Sequence, residues 1–68
     1  MMTEVHVGDI VRYEGTGYRL KPVYAVILIT EHLFDYDFNV LVLETNIEHL
    51  DGPWSFDPAV LDRCKLLA

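Results

Sequence analysis

Apolar residues along this chain come in short bursts separated by turn-forming residues, a spacing that predicts strands and no long helix. The first burst covers residues 9–14, follows Gly8, and extends backward through Val5 and Val7 if the turn allows. Gly15, Gly17 and Pro22 then bound a turn-rich stretch, read as a long first loop. Residues 23–29 are uninterruptedly apolar and rich in β-branched side chains, so 23–30 is the second strand. A reversal occupies 31–37, and a third strand covers 38–44. A polar loop from Asn46 ends in Gly52-Pro53, followed by a short fourth strand at 54–56. Asp57-Pro58 has the chemistry of a helix start, with a carboxylate at the N-cap and proline in the first helical position. One helical turn through Arg63 leads into a last strand at 64–67. The pattern predicts one mostly β domain over residues 1–68, a five-stranded half-open barrel with one helical turn before its final strand.

Alternation in the third strand places Tyr36, Phe38, Val40 and Val42 on one face. Asp35, Asp37 and Asn39 begin the other face, which continues as Leu41 and Leu43. The expected core is Val11, Val26, Leu28, Val40, Val42, Trp54, Leu61 and Leu66. The run 23–29 offers no polar residue to mark its outside, and Val26 and Leu28 are assigned inward. A small barrel has a single interior, so strands two and three carry apolar side chains that this interior does not use. Either the first loop or the helical turn covers them, or another protein chain does. On the second reading the docking residues are Leu41, Leu43, Val23, Ala25 and Ile27, with Tyr18 and Tyr24 alongside.

Size sharpens that expectation. Ordering 68 residues costs about 100 kcal/mol, at roughly 1.5 kcal/mol per residue, and small cores offset this only narrowly. Natural small domains add disulfides, a metal or a partner. Cys64 is the only cysteine, so an internal disulfide is excluded. The remaining options are a very efficient core or a partner, which is the expectation here.

Charge narrows the partner class. The formal net charge is −6, with 24% charged residues. Residues 1–30 balance Glu4, Asp9 and Glu14 against Arg12, Arg19 and Lys21, so the whole acidic excess lies in residues 31–68. That half repels phosphate backbones and anionic membranes. Arg12, Tyr13, Tyr18, Arg19 and Lys21 interleave cations with aromatics, as single-stranded nucleic-acid binders do, but three neighbouring acids cancel the electrostatic footprint. The start Met1-Met2-Thr3-Glu4 lacks the features of a signal peptide, and no apolar run is long enough to span a bilayer. No secretion is expected.

Candidate chemistry is sparse. Asp35-x-Asp37-x-Asn39 opens like a calcium loop, yet the required glycine and bidentate glutamate positions hold Val40 and Asn46. His32 with Glu31, Asp35 and Asp37, and His49 with Glu44, Glu48 and Asp51, lack the paired spacing of a zinc site. Ser55 and Cys64 have no histidine near them in sequence and no nucleophile motif. Gly15-x-Gly17 lacks the third glycine and helix of a phosphate loop. No catalytic residue, metal or cofactor is expected.

The opening Val7-Gly8-Asp9-Ile10-Val11-Arg12-Tyr13 and the ending Trp54-x-Phe56-x-Pro58-x-x-Leu61-x-x-Cys64-Lys65-Leu66-Leu67 resemble the first and last strands of small SH3-like barrels of the KOW and Tudor kind. The order of elements matches over nearly the full chain. Short stand-alone proteins of this pattern are frequent in tailed bacteriophages. The resemblance implies an SH3-like fold and a non-enzymatic protein–protein interaction or assembly role as a minor virion or accessory protein, in the virion or the host cytoplasm. The unused apolar face of strands two and three implies a homo-oligomer or a place in a larger complex. An acidic inhibitor occupying a host protein's nucleic-acid site is the second expectation, and a small nucleic-acid-binding barrel the third. KOW-type readers carry a basic face, which this chain lacks.

Overall fold

The computed structural model describes residues 2–68, and Met1, first residue of the acidic start, lies outside the described residues. Five strands, β1 (Ile10–Thr16), β2 (Pro22–Phe34), β3 (Asp37–Thr45), β4 (Trp54–Ser55) and β5 (Cys64–Leu66), form one antiparallel sheet in the order β4-β3-β2-β1-β5. A single turn of helix, α1 (Pro58–Leu61), precedes β5. This is the mostly β, five-stranded half-open barrel that the pattern predicts, with its one helical turn before the final strand.

A sheet of five strands curls this tightly because its longest hairpin is bulged three times. Val26 pairs with Glu44 and Ile27 with Val42, which leaves Leu43 as an extra residue. Thr30 and Leu33 are extra in the same way on β2. Each bulge adds local bend and twist, and together they let the 13-residue β2 serve both halves of the barrel. The reversal between β2 and β3 shrinks to Asp35-Tyr36, with Asp35 in the left-handed region at φ 48°.

The first loop is also shorter than expected. β1 pairs with β2 as far as Thr16 and Pro22, so the tip is residues 17–21, pinned by Gly17 N–H donating to the Lys21 carbonyl at 2.7 Å. Residues 5–9 do not extend β1, although Val5 is buried and helps close one end of the core.

Val11, Ala25 and Ile27 are fully buried at the centre, with Ile29, Phe38, Phe56, Leu61 and Cys64 around them. The inward face of β2 is therefore Ala25, Ile27 and Ile29, not Val26 and Leu28. Register explains the reversal. Ile27 lies between Val11 of β1 and Val42 of β3, while Val26 lies opposite Arg12, whose charge must face water. Ala25 is the small residue opposite Tyr13, leaving room for the larger side chain. Val40, Val42 and Trp54 are half-buried against the core, whereas Leu66, expected inside, is half-exposed because β5 is an edge strand with no neighbour beyond it. Tyr36, expected beside Phe38, sits exposed in the turn.

The helical turn follows its signature. Asp57 caps it, its Oδ1 accepting from the Val60 N–H at 3.0 Å, and Pro58 occupies the first helical position. Leu61 is its buried residue and anchors the turn to the core. No helix among the described residues is long and apolar enough to cross a membrane.

Candidate interaction surfaces

The outer face of the sheet is built from the residues that the core does not use. Ile10, Leu28 and Leu41 are partners in register across β1, β2 and β3 and form one apolar row. The neighbouring row is Lys65, Arg12, Val26 and Glu44. Because Leu43 is the extra residue of a bulge, both it and Glu44 turn outward, and Thr45 returns to the inner face. Leu41 is 54% exposed and Leu43 51%, with Ile10, Val26 and Leu28 half-buried beside them.

Neither of the chain's own candidate covers reaches this row. The short tip leaves the sheet at the far end of β1 and β2, and α1 packs its one buried residue into the core. Leu41 and Leu43 are thus uncovered. The other expected docking residues divide. Ala25 and Ile27 are both 0% exposed and cannot touch a partner. Val23 opposes Gly15 and is half-buried in a groove on the other side of the sheet. Tyr24 does lie on the outer face, but under Arg12, whose guanidinium is 4.4 Å from the ring centroid while its Nε donates to Glu14 at 2.8 Å. Tyr18 stands at the hairpin tip, away from the row. Sequence reasoning missed Leu28, Val26 and Ile10 as outer residues; the charge of Arg12 is the signal that marks their side.

The groove on the inner side is bounded by Tyr13 and Val23 on one wall and by Ile47, Leu50, Trp54 and Val60 on the other. Tyr13 and Trp54 meet edge to face, with centroids 5.9 Å apart and planes at 84°. Gly15 permits this placement, since a Cβ there would come within 2.5 Å of the Tyr13 hydroxyl. Gly17 similarly admits Val23, whose Cγ1 would be 2.8 Å from a Cβ. The opposite wall is tied to β2 by Asn46, which accepts from the Tyr24 N–H at 2.9 Å and donates to the Pro22 carbonyl at 3.1 Å. Thr45 extends the tie, donating to the Tyr24 carbonyl and accepting from the Ile47 N–H.

The tip is conformationally unusual. Arg19 and Leu20 both lie in the left-handed region, at φ 58° and 59°, where bulky side chains are rare. Tyr18 is 83% exposed and Leu20 84%, and the Arg19 guanidinium lies 5.3 Å from the Tyr18 ring.

The chemical candidates remain scattered or engaged. Among the described residues no three His, Cys, Asp or Glu side chains come together in a metal-holding group. Asn39 donates to Glu31 at 2.8 Å, so two of the polar residues near the calcium-like stretch satisfy each other. His32 stacks on Phe38 with its Nε2 2.8 Å from the Asp35 carbonyl. Cys64 is buried, its thiol donates to the Val60 carbonyl at 3.3 Å, and desolvation pushes its pKa up to about 11. Such a thiol is a poor nucleophile at neutral pH. Comparison with protein-family models, with curated proteins and with solved structures returns no match.

Proposed function

We propose that the chain is a non-enzymatic protein–protein interaction module that acts in assembly and docks through the outer face of β1, β2 and β3. The observation that carries this reading is the uncovered row Ile10–Leu28–Leu41, with Leu43 beside it, on a chain whose own loops do not reach it. Contiguous exposed apolar surface of this kind marks interfaces. The adjacent row orients the contact, because Lys65 stands at one end and Glu44 at the other. A second copy related by a two-fold axis sets each positive end against the other's negative end while the leucines meet at the centre. Apolar burial supplies the affinity and the rim charges set register. The resemblance to small phage barrels supports a minor virion component or assembly accessory as the setting, without a cofactor.

Sedimentation of the chain at tens of micromolar tests this. The wild type associates, and Leu41→Asp with Leu43→Asp leaves the barrel folded but removes that association. A wild type whose sedimentation is identical to the double variant's overturns the outer-face reading.

A second reading, an acidic inhibitor of a nucleic-acid-binding protein, is favoured by a different observation. Glu31, Asp35, Asp37, Glu44, Glu48, Asp51 and Asp62 are all exposed, and none makes an ion pair with Lys or Arg among the described residues. Salt separates the two. Apolar docking survives about 1 M salt, whereas acidic mimicry collapses as the screening length falls to about 3 Å. Nucleic-acid reading by the first half is disfavoured further, since Arg12 is already committed to Glu14 and Tyr24.

A further inference from the structure

We propose that the hollow between the N-terminal segment and the β2–β3 turn receives a lysine or arginine side chain, carried on an extended segment of a partner protein. This site is separate from the outer face and does not depend on it.

The hollow opens where the N-terminal segment leaves β2. Gly8 N–H donates to the Ile29 carbonyl at 2.8 Å, and Ile29 N–H donates to the Asp9 carbonyl at 2.9 Å. Gly8, at φ 98°, turns the preceding residues away from the strand. Past Ile29, β2 continues to Phe34 and pairs with β3 alone among the described residues. Between this arm and residues 3–7 lies a hollow of about 420 Å³, a ligand-sized volume. Open main chain beside a side-chain pocket is the arrangement that accepts an added extended segment. Because Thr30 and Leu33 are bulged, the edge offers only a short ladder, and the pocket carries the selectivity.

The pocket has an apolar floor and an acidic rim. Val5, Phe38, Phe56 and Leu61, all buried, form the floor. His32 stacks on Phe38, with centroids 4.4 Å apart and planes at 14°, and extends the flat wall. Glu4 and Asp35 stand at the rim with His6. The Asp35 carboxylate has no hydrogen bond or ion pair among the described residues, and Glu4 meets only His6 Nε2, at 3.2 Å. An aliphatic stem ending in a cation matches both parts, the methylenes on the floor and the charge at the rim.

Charge assigns that cation to another protein. No Lys or Arg lines the hollow, and none occurs between Lys21 and Arg63. The chain's own cations already have its own acids beside them. Arg19 and Lys21 share a hollow with Glu48, and Arg12, Arg63 and Lys65 share one with Glu14 and Asp62. A second copy therefore brings no uncommitted cation. A metal ion is a poor occupant, since no three ligating side chains converge among the described residues.

The test is amide NMR of the isotope-labelled full chain, titrated with valyl-lysyl-valine capped at both ends. The amide signals of Val5, His32, Asp35 and Tyr36 shift and saturate in the millimolar range. Norleucine in place of lysine binds about tenfold more weakly, and glutamate in its place gives no saturable shift. Butylammonium chloride, which has the stem and charge without a main chain, also binds about tenfold more weakly. Asp35→Asn keeps a residue type that tolerates the left-handed region. It and Glu4→Gln each weaken binding about threefold, and together about tenfold, with the melting temperature unchanged. Glu48→Gln, in a different hollow, leaves binding as it is. The proposal is overturned if no saturable shift appears, or if the shifts map to Leu28 and Leu41 instead. It fails equally if the norleucine peptide binds as tightly as the lysyl one, or the folded double variant as tightly as wild type. Butylammonium binding as tightly as the peptide makes a free amine the ligand and rejects the partner segment. Should Asp35→Asn disturb the turn, the norleucine comparison on the wild type still decides.

Discussion

Ile27→Ala and Leu28→Ala, two changes one residue apart, separate the core from the docking face. Ile27 is fully buried between Val11 and Val42, whereas Leu28 lies on the outer sheet face between Ile10 and Leu41. Removing three carbons from the interior forfeits about 2.4 kcal/mol of transfer free energy at about 0.8 kcal/mol per carbon. Incomplete collapse of the cavity raises this to about 3–4 kcal/mol, inside the range for buried Ile→Ala changes. A 68-residue domain has only about 3–10 kcal/mol of stability in total, so Ile27→Ala removes from about a third to all of it. Leu28→Ala trims a half-buried side chain and costs about 1 kcal/mol in the isolated chain, a melting shift of about 4–8 °C. The assay is urea unfolding followed by Trp54 fluorescence, well suited because that ring sits against Tyr13 and Phe56. Low and high protein concentrations are compared, since association through the outer face adds an increment that Leu28→Ala loses and Ile27→Ala does not. Equal losses at both positions at low concentration would refute the assignment of the two faces.

Three further changes probe individual devices. Asp57→Ala removes the cap on the Val60 N–H and lowers stability by about 1 kcal/mol, measured by the same unfolding curves. Gly15→Ala forces a Cβ against the Tyr13 ring and displaces it from Trp54, so the near-UV circular dichroism of the aromatic pair falls while the far-UV spectrum holds. Burial of Cys64 raises its pKa from 9.0 to about 11, so its thiol favours the folded state fully below pH 9 and progressively less as pH climbs toward 11. In that window the wild type loses stability relative to Cys64→Ala, read as converging urea midpoints, and a constant difference across it counts against the burial of the thiol.

Much of the architecture is legible in the residues because each signal there is local. Asp57-Pro58 specifies its own cap, and the alternation from Phe38 to Val42 specifies its own faces. The bulges are not legible, since Thr30, Leu33 and Leu43 carry no residue type that demands one, and the partner strand creates them. Without them β2 reads as eight residues instead of 13. The face of β2 was hidden for a related reason. Residues 23–29 are all apolar, so within that run only pairing with the patterned β1 distinguishes inside from outside. That pairing depends on the length of the first loop, and reading residues 15–22 as loop removes the register that would have placed Val26 opposite Arg12.

The same register accounts for which half of the docking prediction stands on the right side of the sheet. Leu41 and Leu43 follow Asp35, Asp37 and Asn39, so their outward direction is written in β3 alone, and the bulge keeps Leu43 outside even as it reverses the residues after it. Ala25 and Ile27 were assigned outward only as the complement of an undetermined choice. Once Arg12 and Glu14 fix the water side of β1, Tyr24, Val26 and Leu28 must share it, and the exposed surface gains a larger apolar residue than the one it loses at Ala25. The correction therefore strengthens the case for an interface. It turns two isolated leucines on β3 into a row that crosses three strands, flanked by opposite charges at its two ends. A row of that width lies over rigid sheet and needs no reordering to bind, which lowers the entropic cost of association relative to a loop-built site.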